Sequence, residues 1–174
     1  MTAPELFFVP YPEFVGDVQA VATALREDGW RPDFIVGIGR GGLVPAAYLS
    51  HRTGIPLLSV DYSSGVPSFA EELMAKLAIR TCESQAILIM DDINDSGRTI
   101  EALRKSLVDH GAVLDRVRVA VLIDNLRSAA RVDYRSRTID RAHDKRWFVF
   151  PWEAMAERRT LIEEAESVPE RLSS

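Results

Sequence analysis

The sequence predicts an α/β fold in which a parallel sheet of about five strands is flanked by helices. Two observations favour this class. Short apolar runs alternate along the chain with segments whose apolar residues recur every three or four positions. Several of the runs are apolar at nearly every residue, as strands covered on both faces are. Ligands in such sheets bind at the carboxyl ends of the strands, so a site is expected in the loops that follow the runs.

The first third of the chain contains two predicted helices and two predicted strands. Val18, Val21 and Leu25 recur at helical spacing, and Gly29 follows as a helix-ending residue. The apolar run DFIV leads into a glycine-rich turn and the next helix. In chain order the elements are a helix over 12–28, a strand over 34–38, a helix over 42–51 and a strand over 55–60.

The remainder of the chain continues this alternation after a segment rich in Ser, Gly and Pro. Residues 62–67 are predicted to form a loop, and Ser68 with Glu71 has the spacing of a capping box at the start of a short helix. In chain order the later elements are a strand over 85–90, a helix over 99–110, strands over 117–123, 132–139 and 147–150, and a helix over 152–167.

Composition narrows the class of protein. A length of 174 residues suits one domain, and a net charge of −5 argues against nucleic-acid binding, because phosphate backbones require basic surface. Cys82 is the single cysteine, so no internal disulfide forms. The first residues lack the features of a signal peptide, and no window approaches the roughly 20 apolar residues of a membrane span. We therefore expect a cytoplasmic protein that binds neither nucleic acid nor membrane.

The glycine-rich stretch GIGRGG, Gly37–Gly42, has two interpretations. It matches the dinucleotide-binding pattern G-x-G-x-x-G, and Asp61 follows near the expected place of a ribose-binding carboxylate. The pattern alone is a weak signal. Arg40 favours a different ligand, because a guanidinium between glycines suits the pyrophosphate of a leaving group.

The most specific motif is DDINDSGRTI, Asp91–Ile100, which directly follows the apolar run QAILIM. Backbone N–H groups at the start of the next helix form a cradle for a phosphate, and Gly97 allows its close approach. The hydroxyls of Ser96 and Thr99 add donors. The two adjacent carboxylates at the start of the motif suit vicinal sugar hydroxyls, or a magnesium ion held through its waters.

These motifs together resemble one family. DDINDSGRT resembles the phosphoribosyl pyrophosphate signature of type I phosphoribosyltransferases. FIVGIGRGGLVPAA resembles the pyrophosphate loop of their 6-oxopurine branch, the xanthine–guanine and hypoxanthine enzymes, and KRWFVFPWE resembles the base-binding segment of that branch. The resemblance runs from about Phe34 to Glu153. It implies one domain over 1–174, with a core at about 12–127 and a small base-binding hood from the C-terminal segment at about 128–174.

The resemblance assigns the two ends of the sugar donor to two loops. The 5-phosphate is expected on one set of residues, namely Asp95, Ser96, Gly97, Arg98 and Thr99. The pyrophosphate is expected on Gly39, Arg40 and Gly41, with the guanidinium as its cation. Asp91 and Asp92 are expected to hold the ribose hydroxyls, and Mg²⁺ mostly through water. Asp95 is expected near the base, where it takes the proton from N7, so Asp95 and Arg40 are the predicted catalytic residues.

The base-binding segment carries three further expectations and one departure from the family pattern. Trp147 is expected to stack on the base, Phe148 to contact it through the backbone, and Glu153 to lie near the 2-position or a magnesium-bound water. Relatives place a lysine that donates to O6 at the end of the fourth strand, where this chain has Asn125. An amide both donates and accepts, and Arg127 lies two residues along. Hypoxanthine, guanine or xanthine is favoured, and adenine or a non-purine base stays open.

A mobile loop is expected to shield the intermediate from water. Its candidate residues are Tyr62, Ser63 and Ser64. Arg80 resembles a basic residue that reaches the pyrophosphate in the family, although an exposed arginine at a helix end is an equal interpretation. The charged stretches RSAAR and RAHDKR are expected to be solvated surface or oligomer contacts.

The function implied by the resemblance is transfer of the 5-phosphoribosyl group from phosphoribosyl pyrophosphate to a purine base, with Mg²⁺ as cofactor, in purine salvage. The products are the nucleoside monophosphate and pyrophosphate, and a homodimer or homotetramer is expected. One alternative is a regulator that uses this fold to sense a nucleotide. The other is a transferase for adenine or a non-purine base. Retention of Asp95 and of the aromatic base segment favours an enzyme.

Overall fold

A computed structural model of the protein describes residues 4–60 and 67–167. The strands, in chain order, are β1 Leu6–Phe8, β2 Phe34–Ile38, β3 Leu57–Val60, β4 Ile87–Asn94, β5 Val117–Asn125, β6 Tyr134–Ile139 and β7 Trp147–Val149. The helices are α1 Tyr11–Asp28, α2 Gly39–Thr53, α3 Pro67–Cys82, α4 Arg98–Asp109 and α5 Arg158–Glu166, with 3-10 turns at Leu114–Arg116 and Glu153–Met155. None of the described helices is long and apolar enough to cross a membrane.

The main sheet has five parallel strands in the order β3-β2-β4-β5-β6. The predicted α/β fold with about five parallel strands is therefore confirmed. After β2 the chain adds β3 on one side and then returns to add β4 on the other. The strand order thus reverses between β2 and β4, and the carboxyl ends of these two strands border the crevice in which doubly wound sheets bind ligands.

Two hydrophobic clusters cover the two faces of this sheet. Along β4, Leu88 and Met90 belong to the cluster that includes α1 and α2, whereas Ile87 and Ile89 belong to the cluster that includes α3 and α4. All four of these strand residues are at most 1% exposed. Burial on both faces explains why the run is continuously apolar, because a strand with one solvated face would alternate polar and apolar residues.

A two-stranded parallel sheet pairs a strand near the start of the chain with a strand of the base-binding segment. Sequence reasoning did not predict the first of these two strands. Leu6 of β1 pairs with Trp147 of β7, and Phe8 pairs with Val149. The hood that carries Trp147 therefore includes an N-terminal strand of three residues, too short to give a periodic signal. Conversely β6, which the expected boundary near residue 128 assigned to the hood, is the edge strand of the main sheet.

Several element boundaries differ from those predicted, and three of them concern the glycine-rich turn, the acidic motif and the last helix. Helix α2 begins at Gly39 instead of Gly42, and β4 continues to Asn94, so that the two adjacent carboxylates lie on the strand and not in a loop. The predicted helix over 152–167 is broken into a 3-10 turn and α5. Extended backbone at Ala156 and Glu157 interrupts it, since ψ is 151° and 143° at these two residues.

The first turn of α2 packs unusually close to the end of β4. A Cβ atom at Gly42 would lie 2.1 Å from the carbonyl oxygen of Met90, and one at Gly41 would lie 2.5 Å from Oδ2 of Asp92. Neither glycine has a positive φ angle. These glycines are therefore required by the short distance between helix and strand, and not by backbone conformation.

We expect Gly42→Ala to lower the free energy of unfolding by at least about 2 kcal/mol, because the new methyl group meets backbone that has no room to move. Urea unfolding monitored by circular dichroism measures the change. The matched control is Gly16→Ala in α1, where nothing lies within 4 Å of the added Cβ. That control should raise stability by about 0.5–1 kcal/mol through helix propensity. Equal effects at the two positions would contradict the packing account.

Candidate active site

The crevice beside the carboxyl end of β4 contains a cavity of about 260 Å³. Its walls are residues 91–100 together with Trp147 and Ser167. The phosphate-binding motif and the predicted base-stacking tryptophan, which are 47 positions apart between Ile100 and Trp147 in the sequence, therefore line one space. The glycine-rich turn borders the same region, because Gly41 lies against the carboxylate of Asp92.

Asp91 and Asp92 are held in this crevice by backbone contacts. The backbone N–H of Asp92 donates to Oδ1 of Asp91 at 3.0 Å, and that of Ile93 donates to Oδ1 of Asp92 at 2.7 Å. Burial raises the pKa of Asp91 well above its ordinary value, and repulsion from Asp92 adds to the shift. Burial likewise raises the pKa of Asp92 to about 6.

Glu153 joins this acidic group from the C-terminal segment. Its Oε2 accepts a hydrogen bond from the backbone N–H of Phe150 at 2.9 Å, which orients the side chain. Burial, followed by repulsion from Asp92, raises the pKa of Glu153 to about 7, while the positive charge of Arg40 acts in the opposite direction. Asp92, Glu153 and Arg40 come from three distant segments and form one electrostatic unit.

Within residues 4–60 and 67–167, no three His, Cys, Asp or Glu side chains are arranged to hold a metal ion directly. The donors at the crevice are nevertheless carboxylate oxygens, which are the hard ligands that Mg²⁺ prefers, and Mg²⁺ keeps several of its waters when it binds. The side chains of Asp91 and Asp92 therefore fit a magnesium ion that is held through water.

The phosphate cradle is formed at the start of α4. Gly97 precedes the helix with φ 89°, a left-handed conformation that favours glycine, and the backbone N–H of Arg98 donates to Oγ of Ser96 at 3.3 Å. The N–H groups of that turn, together with the hydroxyl groups of Ser96 and Thr99, border the cavity. An anion at this position would be stabilised by the helix dipole and by the N–H groups of this turn.

Residues 128–130, in the loop after β5, hold the cradle in place through hydrogen bonds. The Asn94 side chain donates to the carbonyl oxygen of Ala130 and accepts from the Ser128 hydroxyl, each at 2.8 Å. The backbone N–H of Ala129 donates to the carbonyl oxygen of Ser96 at 3.2 Å. A Cβ atom at Gly97 would lie 2.5 Å from the nitrogen of Ala130, so glycine is required here by contact as well as by φ.

Asp95 is paired with an arginine that sequence reasoning assigned to solvated surface. The side chain of Arg141 is 1% exposed, and its Nε and Nη2 donate to the two carboxylate oxygens of Asp95 at 2.9 and 2.7 Å. Its Nη1 donates to the carbonyl oxygens of Asp144 and Arg146. Arg141 therefore joins the phosphate motif to the segment that leads into Trp147, and the expectation that RAHDKR is solvated surface or an oligomer contact is wrong for Arg141.

Asn125 has its side-chain amide directed at the backbone. Its Nδ2 donates to the carbonyl oxygen of Asp95 at 2.9 Å, and its Oδ1 accepts from the N–H groups of Arg127 and Arg141. The residue is 3% exposed and does not line the cavity. In this structure Asn125 therefore supports the turn at Asp95 and the connection at Arg141.

Successive side chains of the base-binding segment point to opposite sides, as they do in a strand. Trp147, at the start of β7, lines the cavity, and its backbone N–H donates to the carbonyl oxygen of Glu5 at 2.7 Å. The next side chain, Phe148, points away into the core, where its ring packs edge-on against Phe7 at 5.7 Å. Trp152 stacks on Phe150 at 4.9 Å and serves packing.

Two other basic residues lie away from the crevice. Arg80 is near the end of α3, which runs antiparallel to β4, so it lies at the amino end of that strand and contacts Glu83 and Gln85. This position agrees with the second interpretation given above, an exposed arginine at a helix end. Arg127 pairs with Asp140 at 2.5 Å on the surface. The predicted loop residues Tyr62, Ser63 and Ser64 lie outside the described residues.

The structure adds two residues that sequence reasoning missed. Arg141 lies in a run of charges, and no pattern in that run marks it as the buried one. Ser167 follows α5 and lines the cavity because the C-terminal segment returns across the crevice. Neither residue lies in a motif, so only the folded chain reveals its position.

The fold and this site define a phosphoribosyltransferase, and the chain belongs to that family: the phosphoribosyl transferase domain model matches residues 10–157. Over 143 residues the chain is 30% identical to xanthine–guanine phosphoribosyltransferase of Cereibacter sphaeroides (strain ATCC 17025 / ATH 2.4.3), covering 76% of this chain and 78% of that protein. The predicted family is thus confirmed.

Solved structures agree with this assignment. A purine phosphoribosyltransferase from Pyrococcus horikoshii is 26% identical with a TM-score of 0.62, covering 87% of this chain and 96% of that one. A xanthine–guanine–hypoxanthine phosphoribosyltransferase from Helicobacter pylori, 19% identical with a TM-score of 0.64, shares the fold over 94% of this chain and 100% of that one.

The raised pKa values of the acidic group predict how stability depends on pH. A carboxyl group whose pKa is higher in the folded state stabilises the fold at low pH, and this contribution is lost as the pH rises through the folded pKa. The metal-free protein should therefore lose stability relative to Asp92→Asn between pH 4 and 7, since the pKa of Asp92 is about 6. At pH 8 the variant should be more stable by roughly 2–3 kcal/mol.

Urea unfolding at several pH values in a chelating buffer measures this difference. The control is Asp115→Asn, which removes an exposed carboxylate in the turn before β5 and should give a curve parallel to that of the unchanged protein. Parallel curves for Asp92→Asn would show that the carboxylate of Asp92 does not carry a raised pKa.

Proposed function

We propose that this enzyme transfers the 5-phosphoribosyl group from phosphoribosyl pyrophosphate to a 6-oxopurine, namely hypoxanthine, guanine or xanthine, and releases pyrophosphate. The observation that carries the proposal is the single cavity whose walls combine the motif 91–100 with Trp147. That combination provides donor-binding and base-binding groups within reach of each other. The choice of base is supported by the relatives named above, a xanthine–guanine phosphoribosyltransferase and a purine phosphoribosyltransferase.

The 5-phosphate of the donor is proposed to bind at the start of α4. The N–H groups after Gly97 and the hydroxyls of Ser96 and Thr99 supply donors, and the positive end of the helix dipole favours the charge. Arg98 begins the helix beside them. The hydrogen bonds of the Asn94 side chain to the loop after β5 hold these donors in place before the ligand binds. This preorganisation limits the entropy lost on binding.

The ribose and the pyrophosphate are proposed to lie across the acidic group. Asp91 and Asp92 would accept from the ribose hydroxyls and hold Mg²⁺ through its waters. When bound, Mg²⁺ neutralises charge on the pyrophosphate and on these carboxylates. Arg40, in the first turn of α2, is proposed as the cation for the leaving pyrophosphate, and the backbone of Gly39 and Gly41 on either side of it as a further contact.

Departure of the pyrophosphate leaves positive charge on the ribose, and the protein stabilises this charge with fixed groups. The base is proposed to stack on Trp147, with the backbone of Phe148 and the carboxylate of Glu153 near its edge. The carboxylate of Asp95 has about four acceptor positions, and Arg141 occupies one side of it. The other side is available to accept the proton of base N7, so Arg141 acts as a positioning residue for Asp95.

The base specificity is proposed to come from this arrangement and not from Asn125. The side-chain nitrogen and oxygen of Asn125 both bond to backbone groups. The position at which relatives have a lysine therefore carries no cation in this chain. We further propose that the enzyme serves purine salvage in the cytoplasm as a homodimer or homotetramer.

An activity panel tests the proposed function. The protein is mixed with Mg²⁺, phosphoribosyl pyrophosphate and, separately, hypoxanthine, guanine, xanthine, adenine, uracil or orotate, and nucleotide formation is followed by chromatography. We expect product from one or more of the 6-oxopurines. Product only from adenine or a pyrimidine would overturn the base assignment. Donor binding without any product would instead support the regulator that uses this fold to sense a nucleotide.

Asp95→Asn should lower kcat about 10²- to 10⁴-fold with little change in donor KM, because a general base acts on the chemical step. Arg141→Met should lower kcat similarly, since Asp95 is no longer oriented. If the two side chains act as one unit, the double variant should be no slower than the slower single variant.

Steady-state kinetics measure these effects, and circular dichroism verifies that each variant is folded. The control is Arg127→Met, which removes an exposed ion pair with Asp140 and should leave kcat unchanged. Multiplicative losses in the double variant, or equal losses of turnover and donor affinity in Asp95→Asn, would contradict the proposed positioning of Asp95 by Arg141.

A further inference from the structure

A second cavity lies at the amino ends of the strands, at the opposite edge of the sheet from the candidate active site. Its volume is about 400 Å³, within the range of about 300–1,000 Å³ that is usual for small-molecule sites. The last turns of α1 and α2 form two of its walls. Pro32, just before β2, and Ile55, just before β3, complete it.

Three guanidinium groups and no carboxylate line this second cavity. Arg26 lies in the last turn of α1, Arg52 lies in the last turn of α2, and Arg31 lies in the connection to β2. Within the described part of the chain, none of their side chains has a hydrogen-bond or ion-pair partner. Their charge is therefore not paired within the described residues, although the net charge of the chain is −5.

Helix dipoles account for only part of this arrangement. A cation in the last turn of a helix is favoured, which suits Arg26 and Arg52 but not Arg31, which lies outside any helix. The nearest aspartates in sequence are also engaged elsewhere. Asp28 accepts a hydrogen bond from Tyr134 at 2.9 Å, and Asp33 accepts one from the backbone of Ala86 at 2.7 Å.

The remaining walls are apolar and aromatic. Trp30 lines the cavity together with Leu25 and Ile55, and the guanidinium of Arg118 lies 4.7 Å from the centroid of the indole ring. Guanidinium groups bind phosphate oxygens in a fixed two-pronged geometry, while an aromatic and aliphatic wall accepts a planar ring. The cavity thus combines the two kinds of surface that a nucleotide requires.

We propose that this cavity binds an anion that carries a planar ring, of the nucleoside polyphosphate class. Arg26, Arg31 and Arg52 contact the phosphates, and Trp30 lies beside the base. Helix α2 links this cavity to the candidate active site, because it begins at the glycine-rich turn and ends at the cavity about 22 Å away. The proposal does not depend on which base the enzyme uses.

Tryptophan fluorescence tests the proposal directly. The chain has three tryptophans, so a variant with Trp147→Phe and Trp152→Phe retains Trp30 as its single reporter. Titration with ATP in the absence of Mg²⁺ should change the fluorescence of Trp30 to saturation. Adding Arg26→Gln and Arg52→Gln should weaken the affinity about tenfold or more, because two charged hydrogen-bond donors are lost.

Two controls separate this site from other sources of signal. Arg158→Gln removes an exposed arginine at the start of α5 and should leave the titration unchanged. Arg40→Gln removes the proposed pyrophosphate cation and should also leave it unchanged, which distinguishes the cavity from the active site. Where the reporter variant does not fold, the indole N–H signals of the unmodified protein, with that of Trp30 assigned by Trp30→Phe, give the same readout by NMR.

Several results would overturn the proposal. The first is a titration in which the fluorescence of Trp30 shows no saturable change. The second is an affinity for ATP that the two arginine substitutions leave unchanged. The third is loss of the fluorescence change in the Arg40→Gln variant. Equal affinity for inorganic triphosphate would remove the planar ring from the assignment. A ligand-free dimer that dissociates when Arg26 and Arg52 are replaced would show that the cavity belongs to an interface between two copies of the chain.

Discussion

The structure depends on the close approach of the first turn of α2 to the end of β4. The Cα atoms of Gly41 and Gly42 lie where side chains would collide with Asp92 and with the backbone of Met90. Because the helix starts so near the strand, Arg40 shares one electrostatic environment with Asp92 and Glu153. The glycines of GIGRGG thus serve to bring a cation and two carboxylates together, and a dinucleotide-binding function is not needed to explain them.

The same proximity has an energetic cost. Asp91, Asp92 and Glu153 all have pKa values raised by burial, so their ionised forms are disfavoured in the free protein. The continuously apolar strands and the two clusters that cover them offset this cost. Binding sites commonly retain such unfavourable charge, because a ligand or ion of opposite charge relieves it on binding. The cost is located in the crevice where we propose that the donor and Mg²⁺ bind.

A second set of contacts connects the phosphate motif to the base-binding segment. The guanidinium of Arg141 contacts the carboxylate of Asp95 and the carbonyl oxygens of Asp144 and Arg146, while Asn125 holds the backbone at both ends of this contact. A buried ion pair of this kind contributes little net stability, because desolvation opposes its attraction. Its physical effect is to fix the relative geometry of two segments that line the same cavity.

Local patterns determined much of this molecule. Consecutive apolar runs predicted the parallel sheet, and DDINDSGRT predicted a turn suited to phosphate, because a strand, an acidic pair and a helix start are neighbours in sequence. Only the tertiary structure decided which distant groups meet: Glu153 with Asp92, Arg141 with Asp95, and β1 with β7. It also placed Arg80 away from the crevice, and it directed the side-chain amide of Asn125 at the backbone of Asp95. Periodicity reports the face of an element on which a residue lies, but the partners across the fold depend on packing between segments far apart in the chain.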